Sequence, residues 1–240
     1  MLSAFLWGGA AAASLLVGYA LAGRGLSNRT IGIIMGIGAG ALISAIAYEL
    51  VPESVLGAAK GMGVAFMLGA FVFFIGDWLI DRRGGADRKD ISGDKPGGSG
   101  AAIFVGTLLD NIPESIILGM SFALGGAINI AFLAAVFVSN LPEGLAGSVN
   151  LQAAGRTRRN IFWLWMMVVF ISGASAALGY ALVFRLPSAH GLYAQAFAAG
   201  AMLTMLADAM MPEAFEHGGN TVGLFTVLGF LLAAVLSFIG

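Results

Sequence analysis

Cysteine is absent from the 240 residues, which excludes a disulfide framework, a thiolate metal site and a cysteine nucleophile together. Charge is almost as scarce, at 10% of residues where soluble proteins carry roughly a quarter. The net charge of −1 leaves nothing to neutralise phosphates, so nucleic acid is excluded as a partner. Histidine occurs only twice, so any bound metal must be held mainly by oxygen. What is present is 59% hydrophobic residues and 36 glycines, a surface that only a lipid bilayer can solvate.

Apolar segments lie near 4–22, 31–57, 62–80, 101–124, 127–151, 160–184, 191–214 and 220–239, so the chain reads as one all-α polytopic domain, 1–240, with eight transmembrane helices. The first segment has no basic region before it and reads as a membrane helix, not a cleaved signal. Residues 81–100, rich in Arg, Lys, Asp, Gly and Pro, read as a flexible loop between the third and fourth spans. Ten of the twelve Lys and Arg fall in the first, third and fifth loops. The positive-inside rule then makes those loops cytoplasmic and puts both termini outside. A plasma or inner membrane is the expected location.

The acidic residues follow a different rule. Glu49, Glu53, Asp110, Glu114, Glu143, Asp208 and Glu213 fall within or at the ends of apolar segments, with no Lys or Arg at the same depth. An ionised carboxylate in hydrocarbon costs several kcal/mol, so such groups face a bundle interior and pair with a proton or a cation. Asp77 and Asp81, beside Arg82 and Arg83, read instead as a solvated helix end.

Two internal similarities organise these acids. The fourth span carries Asp110-Asn111-Ile112-Pro113-Glu114-Ser115 and the fifth Ser139-Asn140-Leu141-Pro142-Glu143-Gly144, sharing Asn-x-Pro-Glu. Residues 39–54 and 199–214 share six identities in sixteen at an offset of 160, including Ala-Gly-Ala and Pro-Glu. Both pairs lie on antiparallel spans, the pattern of inverted repeats in secondary transporters. The i,i+4 spacing of Asp110 and Glu114 stacks them on one helix face beside Asn111, and Asn140 and Glu143 are i,i+3 on the next helix. Together they form an all-oxygen set of three carboxylates and two amides, able to hold one or two divalent ions.

At these motifs the sequence resembles the ZIP family of divalent-metal transporters. The resemblance implies eight spans with inverted pseudo-twofold repeats relating spans 1–3 to 6–8, and a metal site between helices 4 and 5. It also implies alternating access by sliding or rocking of one helix group against another. Asn111 and Glu114 match the family's fourth-span Asn and Glu, and Glu143 matches the fifth-span Glu. Asn140 stands where the family often has an acidic or polar ligand. The family's fourth-span histidine is replaced by Asp110, its final glycine by Ser115, and its fifth-span histidine by Ser139. Loss of imidazole shifts preference from zinc toward manganese or iron(II).

The function expected is import of a divalent transition metal (zinc, manganese or iron(II)) into the cytoplasm, as transported substrate and not as a prosthetic group. Glu49, Glu53, Asp208 and Glu213 are secondary ligands along the path, with Glu216 and His217 beside Glu213 at its cytoplasmic end. Gly32, Gly36, Gly40, Gly119 and Gly125 read as close helix-packing surfaces, which also permit a homodimer. The competing readings are an intramembrane carboxylate enzyme, disfavoured by the lack of a nucleophile with an activating base, and a non-transporting metal-binding or structural relative.

Overall fold

The computed structural model describes residues 1–24, 26–51, 61–85, 100–126, 128–185 and 188–239. Among them every regular element is a helix. Seven helical stretches are long and apolar enough to cross a membrane. The first six are α1 (Leu2–Ala22), α2 (Asn28–Leu50), α3 (Met62–Gly85), α4 (Gly100–Gly125), α5 (Ile130–Ala153) and α6 (Arg158–Arg185). The seventh, Gly191–Ile239, has 49 residues. At 1.5 Å per residue it would be about 73 Å long, more than twice the hydrocarbon thickness of about 30 Å. It is broken at Gly219, whose φ of 65° no other residue adopts without strain. We call its arms α7 (residues 188–218) and α8 (Val222–Ile239).

The two arms run oppositely along α2. Gly38 faces Met210 and Gly32 faces Ala214 and Gly218, so α7 descends α2. Gly36 then faces Val222 and Gly40 faces Thr226, so α8 climbs back beside it. In the Gly-x-x-x-Gly row, Gly32 and Gly40 meet backbone and Gly36 meets the Val222 side chain, and the missing Cβ atoms allow this close approach. Gly119 likewise meets the Ala176 carbonyl, whereas nothing lies within 4 Å of Gly125, which is not a packing surface.

α2 and α7 also share a backbone defect. Ile46–Leu50 and Leu206–Met210 are each one turn of π-helix, 160 residues apart. In each, the next amide reaches back five residues: Val51 N–H to the Ile46 carbonyl and Met211 N–H to the Leu206 carbonyl. A proline follows in both cases, at 52 and 212. The ring of Pro212 needs room at the carbonyl four residues back, and the widened turn before it supplies that room. The same offset relates four close contacts. Gly69 of α3 meets the Phe197 carbonyl of α7, as Gly229 of α8 meets that of Ile37 in α2; Gly40 meets the Thr226 carbonyl, as Gly200 meets that of Phe66.

Packing divides the helices into two groups. α6 packs on α1 and α4, and α5 on α1; α2 packs on α7 and α8, and α3 on α7. The groups meet chiefly where α2 lies on α5. Past Ile80 the chain makes one π-type turn over Asp81–Gly85 that leaves helical geometry at Gly84 (φ 92°), with the Arg82 guanidinium 3.7 Å from the centre of the Trp78 ring. Asp77 is only 7% exposed, correcting its assignment to a solvated helix end: α3 lies against α7 there and covers it.

Candidate metal site

Both motif prolines sit inside unbroken helices, Pro113 in α4 and Pro142 in α5. Lacking an N–H, each leaves a carbonyl in the preceding turn, at Leu109 and Val138, without its helical donor. Asp110, Asn111, Glu114 and Asn140 are each 1% exposed, and Glu143 8%. Five polar residues at that depth across two adjacent helices form a continuous polar seam within the bundle.

The amides hold the seam together. Asn140 Nδ2 donates to Asn111 Oδ1 at 3.0 Å, and Asn111 Nδ2 donates to its own helix at the Thr107 carbonyl, also at 3.0 Å. Asn111 is therefore committed on both sides, and its carbonyl oxygen faces the Asn140 amide. Behind α5, Gly144 lies against the Leu15 carbonyl and Gly18 against that of Leu141. This contact is why a glycine follows Glu143: a Cβ there would strike α1. On the far side, buried Trp165 of α6 donates to Ser148 Oγ at 2.8 Å, and Ser148 donates to the Gly144 carbonyl at 2.6 Å.

Glu114 and Glu143 line one small, partly enclosed cavity of about 10 Å³, room for one water-sized sphere. Ser139 and Pro142 of α5 complete one side, and the other is made by Met35 of α2 with Met205 and Met210 of α7. The cavity thus lies at the junction of the two helix groups. Its three thioethers come from helices outside the motifs, and the all-oxygen set expected from spacing along the chain does not include them. Asp110, one turn from Glu114, is buried but is not part of the wall. Among the described residues no three His, Asp or Glu side chains converge closely enough to hold a metal unaided. A cation in this cavity would draw on two carboxylates together with hydroxyl and thioether groups.

The outlying acids occupy other places. Glu49 is joined through opposite carboxylate oxygens to Asn129 Nδ2 and Ser237 Oγ, linking α2 to the start of α5 and the end of α8. Asn129 itself caps α5 by accepting from Phe132 N–H at 2.8 Å. Glu213 and His217 pair on α7, Oε1 to Nδ1 at 3.1 Å, and the His217 side chain is 8% exposed. Neither Glu213 nor Asp208 lines the cavity, and Asp208 is exposed on α7. Glu53 lies outside the described residues.

Fold and site together define a polytopic α-helical membrane protein with a buried, carboxylate-lined cavity between two helix groups. No protein-family model matches the chain. It is 27% identical over 193 residues to an Arabidopsis thaliana protein named a "putative zinc transporter", covering 78% of this chain and 30% of that protein. It is 32% identical over 154 residues to zinc transporter ZIP11 of Bos taurus, covering 59% of this chain and 45% of that protein. The chain thus spans less than half the length of these curated relatives. Both are named as zinc transporters and neither as an enzyme, and the second carries the ZIP name, so the chain is similar to ZIP-family metal transporters.

Proposed function

We propose that this chain carries divalent metal, zinc first among the candidates, across the membrane into the cytoplasm by alternating access through the α4–α5 cavity. The observation that carries the reading is that Glu114 and Glu143, the glutamates of two related motifs, share one buried cavity with three methionines. Two carboxylates in a space for one small sphere repel unless a proton or cation lies between them, and a divalent ion satisfies both. Thioethers soften the set and restore affinity for zinc and cadmium that the missing histidine removes, while manganese and iron(II) remain compatible with the oxygens. The relatives' names point the same way.

In this reading the membrane is crossed eight times, because α7 and α8 fold back at Gly219, and the termini lie outside. The paired π turns and the glycine contacts at an offset of 160 support inverted repeats relating spans 1–3 to 6–8. Alternating access follows from the cavity's position: a shift of α1, α4, α5 and α6 against α2, α3, α7 and α8 opens it to one side and closes it to the other. Inward movement of a cation gains about 2.3 kcal/mol per charge for each 100 mV of inside-negative potential.

The test is uptake of zinc, cadmium, manganese, iron(II) and magnesium into proteoliposomes by the wild type and by Glu114→Gln and Glu143→Gln. Uptake that falls at least tenfold in both variants, with the helical signal and thermal transition retained, supports the cavity as the pathway. Equal uptake in all three proteins would remove it.

A further inference from the structure

A second feature lies away from the cavity, on the outer surface of the bundle. α4 and α6 run parallel and cross where Gly119 meets the Ala176 carbonyl and Gly179 meets the Ile116 carbonyl. Toward their N-terminal ends the helices part and leave an open groove of about 830 Å³, within the range of small-molecule sites. Its walls are apolar along their length, with Phe104 on α4 and Trp163, Met167 and Phe170 on α6. Its mouth is polar: Arg156 and Asn160 lie there, and the Arg156 guanidinium stands over Gly100, where a Cβ would come 3.1 Å from Nε. Arg156, itself exposed, therefore brings its positive charge to the groove mouth beside Gly100 of α4. No carboxylate lines this groove among the described residues.

A positive mouth above an apolar slot, on a helix pair that faces lipid, matches a molecule with an anionic head and a hydrocarbon tail. The end of the bundle that carries it is the one where Arg156, Arg158 and Arg159 cluster, the cytoplasmic side by the positive-inside rule. We propose that this groove is a binding site for an anionic phospholipid of the cytoplasmic leaflet. Its phosphate lies on Arg156 and the Asn160 amide, and one acyl chain lies along Phe104, Trp163 and Phe170. The charge at the mouth selects the headgroup, since a zwitterionic lipid fills the slot equally well but gains less from Arg156. The site ties lipid to α4, the helix that carries Glu114, and is independent of the transport reading.

The test uses the full chain in nanodiscs with phosphatidylglycerol or phosphatidylcholine bearing a photoactivatable group midway along one acyl chain. After irradiation, peptides containing residues 100–104 and 160–170 are quantified by mass spectrometry. Phosphatidylglycerol is expected to label them about fivefold more than phosphatidylcholine, the effect of one basic residue on an anionic lipid. Arg156→Gln should abolish that preference, Arg156→Lys should retain most of it, and Arg29→Gln should leave it unchanged. Equal labelling by the two lipids, or a preference that survives Arg156→Gln, would reduce the groove to ordinary lipid contact and overturn the proposal. Labelling by neither lipid would mean that protein fills the groove, with the same consequence.

Discussion

The Asn140 amide donates to the Asn111 carbonyl oxygen at 3.0 Å, joining two copies of one motif that lie 29 residues apart in the chain. The bond sets α4 and α5 in register, and with Asn111 anchored to Thr107 it fixes the face on which Glu114 and Glu143 meet. A buried bond of this kind is worth about 1 kcal/mol net, and an orphaned partner costs more than the bond contributes.

Asn140→Ala should therefore destabilise the protein by roughly 1–3 kcal/mol, since it leaves Asn111 Oδ1 buried without its donor. A thermal scan in detergent measures this. The double variant Asn111→Ala/Asn140→Ala should lose less than the sum of the two single changes, because the interaction is shared. Additive losses would mean that the two amides act separately.

Selectivity should respond to the methionines. Met205→Leu and Met210→Leu preserve volume but remove sulfur from the cavity wall, so competition by cadmium against manganese uptake should weaken at least threefold while manganese transport persists. The checking measurement is the concentration of cadmium that halves manganese uptake. An unchanged value would mean that the thioethers only pack.

Gly69→Ala and Gly229→Ala drive a methyl into equivalent carbonyls, those of Phe197 and Ile37. Each should cost about 1–3 kcal/mol, and the two costs should be similar. Gly125→Ala, with open space around it, should be neutral or stabilising by up to about 1 kcal/mol through helix propensity. Circular dichroism melts of the three variants make the comparison. Unequal losses at 69 and 229 would argue against equivalence of the two halves.

Glu49 links the helix groups through Asn129 as well as α2 to α8 through Ser237. Glu49→Ala should change the rate of uptake and leave the KM for zinc within about twofold, because it alters a tie and not the cavity. A KM raised tenfold or more would place Glu49 on the ion's path.

Much of the site is legible in the order of residues because it is local. Helical spacing puts Asp110 and Glu114 on one face and Asn140 beside Glu143, and burial in a bilayer follows from an apolar chain around them. Asp77 is not legible in this way, because nearby arginines imitate a helix end while α3 packs on α7 and Asp77 is buried. The hydrogen-bond partners of Glu49 stand 80 and 188 residues away, beyond the reach of any local spacing. The i,i+4 spacing of Glu213 and His217 allows their pairing, and only packing decides that the His217 side chain is mostly covered.

The sequence by itself determined that this chain lives in a membrane, that acidic residues fall within its apolar segments, and that residues 39–54 and 199–214 echo each other at an offset of 160. These properties depend on hydropathy, charge and short-range periodicity, which need no partner helix. Only the tertiary structure decided that Glu114 and Glu143 share a cavity with Met35, Met205 and Met210, and that Asp110 stands outside its wall. Which side chains enclose one small space depends on how helices remote in sequence cross, and the seams of glycine against backbone carbonyl set those crossings.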